Sequence, residues 1–246
     1  MKKIIITVII VILAYAGYHY LIKKDSPEEP IVEQTNEQEE KPEWVSLFDG
    51  KTFNGWHLYN GDSIPDSWAI VDGVMVYTPI ENDPKESIVT DKNYTDFMLS
   101  LEWKISEAGN SGFFWGVYED KKYGEPYSTG AEIQVLDNEK HPDGQYETHR
   151  AGSLYDMIAP SQEVVKEVGE WNLCVLEINH KMNTGNIWLN DVHIVNFEVN
   201  GEGWDNMVKN SKFKDWQSFG DYQTGKIGLQ DHGDKVSFRN LKIKEL

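Results

Sequence analysis

Between residues 97 and 105 the chain alternates. Phe97, Leu99, Leu101, Trp103 and Ile105 are apolar, and Ser100, Glu102 and Lys104 stand between them. A period of two places these sets on opposite faces of extended backbone, so the segment predicts a half-buried β-strand. Short segments of the same kind recur at 68–71, 74–78, 87–90, 112–118, 131–136, 171–179, 186–189, 192–199, 226–230 and 236–244. Turn-forming text separates several of them: Asp72-Gly73, Gly109-Asn110-Ser111-Gly112 and Asn190-Asp191. Only 162–168 and 205–213 carry helical spacing. About a dozen short strands with little helix predict an all-β fold, a sandwich or jelly roll of two layers.

The pattern changes at the N-terminus. Met1-Lys2-Lys3 precedes an apolar run over residues 4–22, which Lys23-Lys24 closes. In one reading, residues 4–13 are the apolar core of a signal peptide, and Ala14-Tyr15-Ala16 is its cleavage site. In the other, the run spans the membrane uncut, its roughly 19 residues being enough for a bilayer. The apolar text continues past the Ala pair, which favours the uncut anchor. Residues 25–43 (DSPEEPIVEQTNEQEEKPE) are Pro- and Glu-rich with almost no large apolar side chains. Such a segment buries too little surface to offset its ordering entropy and reads as an acidic disordered linker. The expected organisation is therefore an anchor or signal over 1–24, a linker over 25–43 and one folded domain over 44–246. Both N-terminal readings place that domain outside the cytoplasm, on the periplasmic side of a bacterial cell envelope.

A net charge of −18 opposes binding to nucleic acid, whose phosphates would repel it. The single cysteine, Cys174, excludes an intrachain disulfide and lies in strand-like text, where it reads as a small buried apolar residue. An exported chain without disulfides fits a bacterial source. Nine Trp and twelve Tyr suit both core packing and the stacking of sugar rings. No zinc signature, phosphate loop or dinucleotide fingerprint is present.

Four segments offer chemistry. In the strand at 131–136, Glu132 and Gln134 share one face and Ile133 and Val135 the other, and the chain then runs into Asp137, Asn138 and His141. A solvated strand face is the plain alternative. Glycines flank the aromatic strand that carries Trp115, a residue placed to lie under a sugar ring or, equally, in the core. In Gln230-Asp231-His232-Gly233 an Asp beside a His can orient and charge the imidazole as a proton carrier, although the same text also makes a hairpin turn. Arg239 follows on the next strand. His149-Arg150 and Tyr155-Asp156 are most simply surface decoration, and Ser153 lacks a nucleophile-elbow context.

Taken in order, LFDGKTFNGW (47–56), NSGFFWGV (110–117), AEIQVLDNEKHPDG (131–144), GSLYDMIAP (152–160), GEWN (169–172), SKF (211–213) and LQDHGDKVSFRNLKIKEL (229–246) resemble the 3-keto-disaccharide hydrolase family over nearly the whole folded part. The resemblance implies a concanavalin A-like jelly-roll sandwich of two curved antiparallel sheets. It also implies a lyase or hydrolase that cleaves 3-keto-glycosides after a partner sugar 3-dehydrogenase has oxidised the C3 hydroxyl. Within the matched motifs it places His232, Asp231, Glu132 and His141 as catalytic residues, with His232, oriented by Asp231, first in line as the base. Trp115, Gln134, Asp137, Tyr155, Lys212, Gln230 and Arg239 are the expected substrate-binding residues, Lys212 and Arg239 serving the enolate. The implied chemistry asks for no cofactor of the chain's own and leaves a divalent metal ion open. Two other classes stay open. One is a non-catalytic carbohydrate-binding module on the same fold. The other is a laminarinase-type glycosidase, which needs two acids on the catalytic strand where this chain has Glu132 and Gln134.

Overall fold

Two antiparallel sheets face each other across a shared apolar core. The computed structural model describes residues 43–81 and 86–246, which fall in one unit. The expected anchor and nearly all of the linker lie outside the described residues. Among the described residues no helix is long and apolar enough to cross a membrane.

The strands are β1 (Val45–Ser46), β2 (Trp56–Leu58), β3 (Trp68–Val71), β4 (Val74–Tyr77), β5 (Ile88–Thr90), β6 (Phe97–Ile105), β7 (Asn110–Val117), β8 (Ala131–Leu136), β9 (Asn172–Asn179), β10 (Thr184–Leu189), β11 (Val192–Phe197), β12 (Lys226–Leu229) and β13 (Val236–Glu245). Among the described residues one α-helix, α1 (Gly201–Lys209), joins them. The larger sheet runs β11-β10-β9-β6-β13-β4-β3, with β1 added at β13, and the smaller runs β2-β5-β12-β7-β8.

The alternation of β6 holds in the structure. Phe97, Leu99, Leu101, Trp103 and Ile105 are all buried in the core. In the antiparallel register, Leu99 stands opposite Leu176 and Leu101 opposite Cys174, so β9 adds its own buried set to the same layer. Burial pushes the Cys174 thiol up to about 12, which leaves it a neutral apolar filler. The last strand binds the first: Val45 pairs with Ile243 and Ser46 with Lys242. Asn240, with φ of 54°, sits where the register of β13 shifts between Arg239 and Lys242. The start of β13 pairs with β4 and its end with β1. Asn tolerates this left-handed backbone better than most residues.

Both expected helices change. Residues 162–168 form no helix. Their polar backbone is taken by neighbours instead: Lys166 N–H donates to Asn172 Oδ1 and Val164 C=O accepts from Asn190 Nδ2. Val164 and Val165 pack against the core. The helix expected at 205–213 starts earlier, at Gly201, and stops at Lys209. A separate short turn, Lys212–Asp215, follows, capped by Ser211 Oγ accepting from Phe213 N–H. In α1, Glu202 in the first turn and Lys209 in the last complement the helix dipole.

β7 and β8 are buried along their whole length. Phe113, Trp115, Ile133 and Val135 face the core between the sheets. Their outward neighbours are covered as well, by loops that cross the smaller sheet, and that covered outer face holds the functional residues.

Candidate active site

Three adjacent strands of the smaller sheet make a polar floor. Asn110 comes from β7, Glu132 and Gln134 from β8, and Gln230 and His232 follow β12. They line a cleft of about 320 Å³ whose walls are Tyr127, Tyr155, Lys212, Phe213 and Trp216. Gly112, opposite Gln134 in the register, lets Glu132 lie flat across β7, because a Cβ there would collide with the Glu132 carboxylate. Glu132 is 7% exposed, Gln134 1% and Gln230 5%. Neither glutamine Oε1 has a hydrogen-bond partner among the described residues. A buried acceptor left unmade costs roughly 1–3 kcal/mol, so the floor is built to receive hydroxyl donors from a ligand.

The wall is held in place by Asp156, whose backbone takes the left-handed conformation with φ of 60°. Its Oδ2 accepts from Lys212 N–H at 2.6 Å and its Oδ1 pairs with His149 Nε2 at 2.8 Å. The His149 ring packs 4.5 Å from the Tyr155 ring, and Lys212 Nζ lies 4.0 Å over the other residue of that stack, Tyr155 itself. Lys212 as a whole residue is exposed, but desolvation of its ammonium lowers its pKa, against the opposing pull of Glu132, Asp156 and Asp143. Burial, and then the negative charges of Glu132, Asp143 and Asp156, raise the Tyr155 pKa, so its phenol stays a proton donor. The segment that reads in sequence as surface decoration is thus a buttress of the cleft.

His232 meets His141 edge to face with ring centroids 6.3 Å apart. His141 Nδ1 accepts from Asp143 N–H at 3.1 Å, which caps the short turn Pro142–Gln145.

Four expected site residues stand elsewhere. Trp115 faces the core, its ring 5.7 Å from Trp204 and 6.4 Å from Phe197, because Gly112 and Phe114 take the outward positions of β7. Asp137 is spent on backbone: it accepts from Ala108 N–H at 2.7 Å and from Glu139 and Lys140 N–H groups. Asp231 accepts from Glu86 N–H at 2.5 Å and Ser87 Oγ–H at 2.6 Å, so its carboxylate anchors the start of β5. Arg239 belongs to the larger sheet, where it pairs with Glu102 at 2.6 Å and covers the Trp171 ring at 4.1 Å. The opening LFDG text is also structural, since Asp49 accepts from the N–H groups of Lys51 and Thr52, both at 2.7 Å. Among the described residues no group of three or more His, Cys, Asp or Glu side chains is arranged to hold a metal ion.

Tyr127, Phe213 and Trp216 escaped sequence reasoning. A further network did too: His57 bridges Asp91 at 2.6 Å and Glu119 at 3.0 Å, tying β2 to the end of β7.

A two-sheet antiparallel sandwich with a polar, aromatic-walled cleft on its smaller sheet belongs among the concanavalin- and galectin-like β-sandwiches. A Bacillus subtilis protein of unknown function with a galectin-like fold superposes at a TM-score of 0.54 over 83% of this chain and 96% of its own, at 10% identity. Residues 43–244 match the model of the 3-keto-alpha-glucoside-1,2-lyase-like domain, and the chain belongs to that family. A Bacteroides thetaiotaomicron protein named 3-keto-disaccharide hydrolase is 34% identical over 82% of this chain and 78% of its own. A solved Parabacteroides distasonis protein, provisionally described as a glycosyl hydrolase, is also 34% identical, with a TM-score of 0.76 over 82% of this chain and 94% of its own.

Proposed function

We propose that this protein is a carbohydrate-active enzyme that cleaves the glycosidic bond of 3-keto-glycosides by elimination across C1 and C2, followed by addition of water. The observation that carries the reading is the grouping of a buried carboxylate, Glu132, with the Lys212 ammonium and the Tyr155 phenol in one sugar-sized cleft.

The ketone at C3 makes the C2 proton acidic. Glu132 takes that proton, and the electron pair moves into an enolate. Lys212 stabilises the negative enolate oxygen in a site partly withdrawn from water, where such an interaction is strongest. The C1–O bond then breaks, its electron pair leaves on the aglycone oxygen, and His232 supplies the proton. The product carries a C1=C2 double bond conjugated to the ketone. Water adds its hydroxyl at C1 and a proton at C2 to give the free 3-keto sugar. The base and the enolate stabiliser are each worth about 100-fold or more. Glu132 is taken as the base because it stands buried on the floor of the cleft, beside the Lys212 ammonium and the Tyr155 phenol.

The substrate's ketone has to be supplied by a sugar 3-dehydrogenase. The Lys-flanked apolar run at 4–22 supports a location in the bacterial cell envelope, facing the periplasm.

The test is an assay of the full-length protein on a glucoside and on its 3-keto form. Turnover of the keto form alone is the expected result. Hydrolysis of the unoxidised glucoside would replace this reading with a laminarinase-type glycosidase. Binding without turnover would make the protein a sugar-binding module.

A further inference from the structure

The last strand is basic on the side turned away from the core. Val236, Phe238, Leu241 and Ile243 of β13 enter the core, which leaves Arg239, Lys242 and Lys244 on the outer face of the larger sheet. Lys104 of β6 joins them opposite Ser237, and Lys235 stands just before the strand. The stripe runs about 30 Å along the middle of the sheet. Arg239 is taken by Glu102, but among the described residues Lys104, Lys235, Lys242 and Lys244 form no ion pair with a carboxylate. Two tryptophans hold the stripe in place. Lys104 Nζ and the Arg239 guanidinium lie over the Trp171 ring at 4.8 and 4.1 Å, and Lys242 Nζ lies over Trp44 at 5.1 Å. Of the chain's 41 acidic and 23 basic residues, 1–43 hold eight and five, which leaves 33 against 18 in the folded part. A row of unpaired lysines on one face of so acidic a domain is a local reversal of its charge.

At one end the stripe opens into a groove of about 590 Å³. Val74, Val76 and Trp171 give it apolar surface, and Lys104, Lys235 and Arg239 give it positive charge against one carboxylate, Asp72. Two further acids face outward nearby. Glu102 is held by Arg239 and Asn240, and Glu177, two strands from β13, is held by Asn186. Alternate residues along a strand repeat every ~7 Å. A polysaccharide with one carboxylate on each ring spaces its charges on that scale, and the apolar faces of its rings suit valine and tryptophan surface. Double-stranded DNA crowds its charges to one per about 1.7 Å, and a domain with so many carboxylates repels it.

We infer that the outer face of the larger sheet is a binding site for an acidic polysaccharide with one carboxylate on each ring, separate from the cleft on the smaller sheet. The lysines of the stripe take the carboxylates, and the groove beside Trp171 seats a ring. The face holds the protein on an acidic glycan whatever reacts in the cleft, so the inference stands apart from the reaction assigned there.

The experiment is calorimetric titration of the full-length protein in non-ionic detergent with oligogalacturonate, and with dextran as the neutral chain. The wild type is expected to bind oligogalacturonate and not dextran, and to bind it several-fold more weakly as salt rises from about 50 to about 300 mM. The triple variant Lys104→Gln, Lys242→Gln, Lys244→Gln should bind about 10-fold more weakly. A control triple, Lys92→Gln, Lys121→Gln, Lys209→Gln, removes the same charge from exposed positions off this face and should bind as the wild type does. If the first triple lowers the thermal unfolding temperature, Lys242→Gln and Lys244→Gln are read singly, each with an expected loss of about 2-fold. Four results overturn the inference. The wild type binds no oligogalacturonate. It binds polyglutamate or double-stranded DNA as tightly. The control variant loses as much as the face variant. Lys212→Met abolishes binding while the face variants keep it, which puts the acidic chain in the cleft.

Discussion

Glu132 combines two properties that oppose each other in water. It is an acidic side chain and it is buried, and it acts electrostatically on the Lys212 ammonium across the cleft. Glu132→Gln keeps the shape and removes the base, so kcat on a 3-keto-glucoside should fall at least ~100-fold with an unchanged circular-dichroism spectrum. Near wild-type turnover would remove Glu132 from the chemistry. Lys212 gives a second readout. Burial lowers its pKa, so the ammonium that the enolate needs is present at neutral pH and is lost as pH rises through that lowered value. The basic limb of kcat/KM should therefore fall below the ordinary lysine value of about 10.4. Lys212→Met should leave a low, flat profile there, and a basic limb that stays in place would assign it to another group. At this scale the sequence was informative where one strand face had to be polar. Glu132 and Gln134 stand out because Ile133 and Val135 alternate with them. Trp115 did not yield, because Phe113-Phe114-Trp115 is apolar on both faces and so carries no phase. Asp137 and Asp231 look like site carboxylates in sequence, but backbone N–H groups that no sequence pattern reveals have claimed them.

β7 and β8 work as a pair, and Gly112 is the residue that makes the pairing functional. A methyl group there meets the flexible end of Glu132 rather than backbone. Gly112→Ala should therefore leave the fold intact and swing the carboxylate out of place, lowering kcat by more than it raises KM. Gly124→Ala is the control, since a Cβ there has nothing within 4 Å, and it should change neither constant. A large loss of thermal stability in Gly112→Ala, with kcat preserved, would mean that the glycine serves packing alone. Strand elements were legible because period-two alternation survives in half-buried strands such as β6 and β9. The wall of the cleft was not, because Tyr127, Phe213 and Trp216 reach it from loops and short turns. Their approach depends on long-range ties such as Lys212 N–H to Asp156. The segment at 162–168 shows the converse, since its helical spacing yields to hydrogen bonds from Asn172 and Asn190.

The molecule assigns different work to its two sheets. The larger one carries β6, β9 and the closing pair β1–β13, together with the Arg239–Glu102 ion pair, and it supplies framework. The smaller one supplies the floor of the cleft, and the loops that cover it supply the walls. Little helix, many short strands and matched ends made the two-layer all-β fold readable from the sequence, whereas which sheet would carry the site was not, because Glu132 and Arg239 look alike as polar positions on strands. The central claim is that the glycosidic bond breaks by way of the C2 proton. The most direct measurement is turnover of a 3-keto-glucoside in deuterium oxide, with the product read by NMR against an enzyme-free control. The elimination route predicts a product that is either unsaturated at C1–C2 or deuterated at C2 at the rate of aglycone release. Free 3-keto sugar that keeps its original proton at C2 would contradict it.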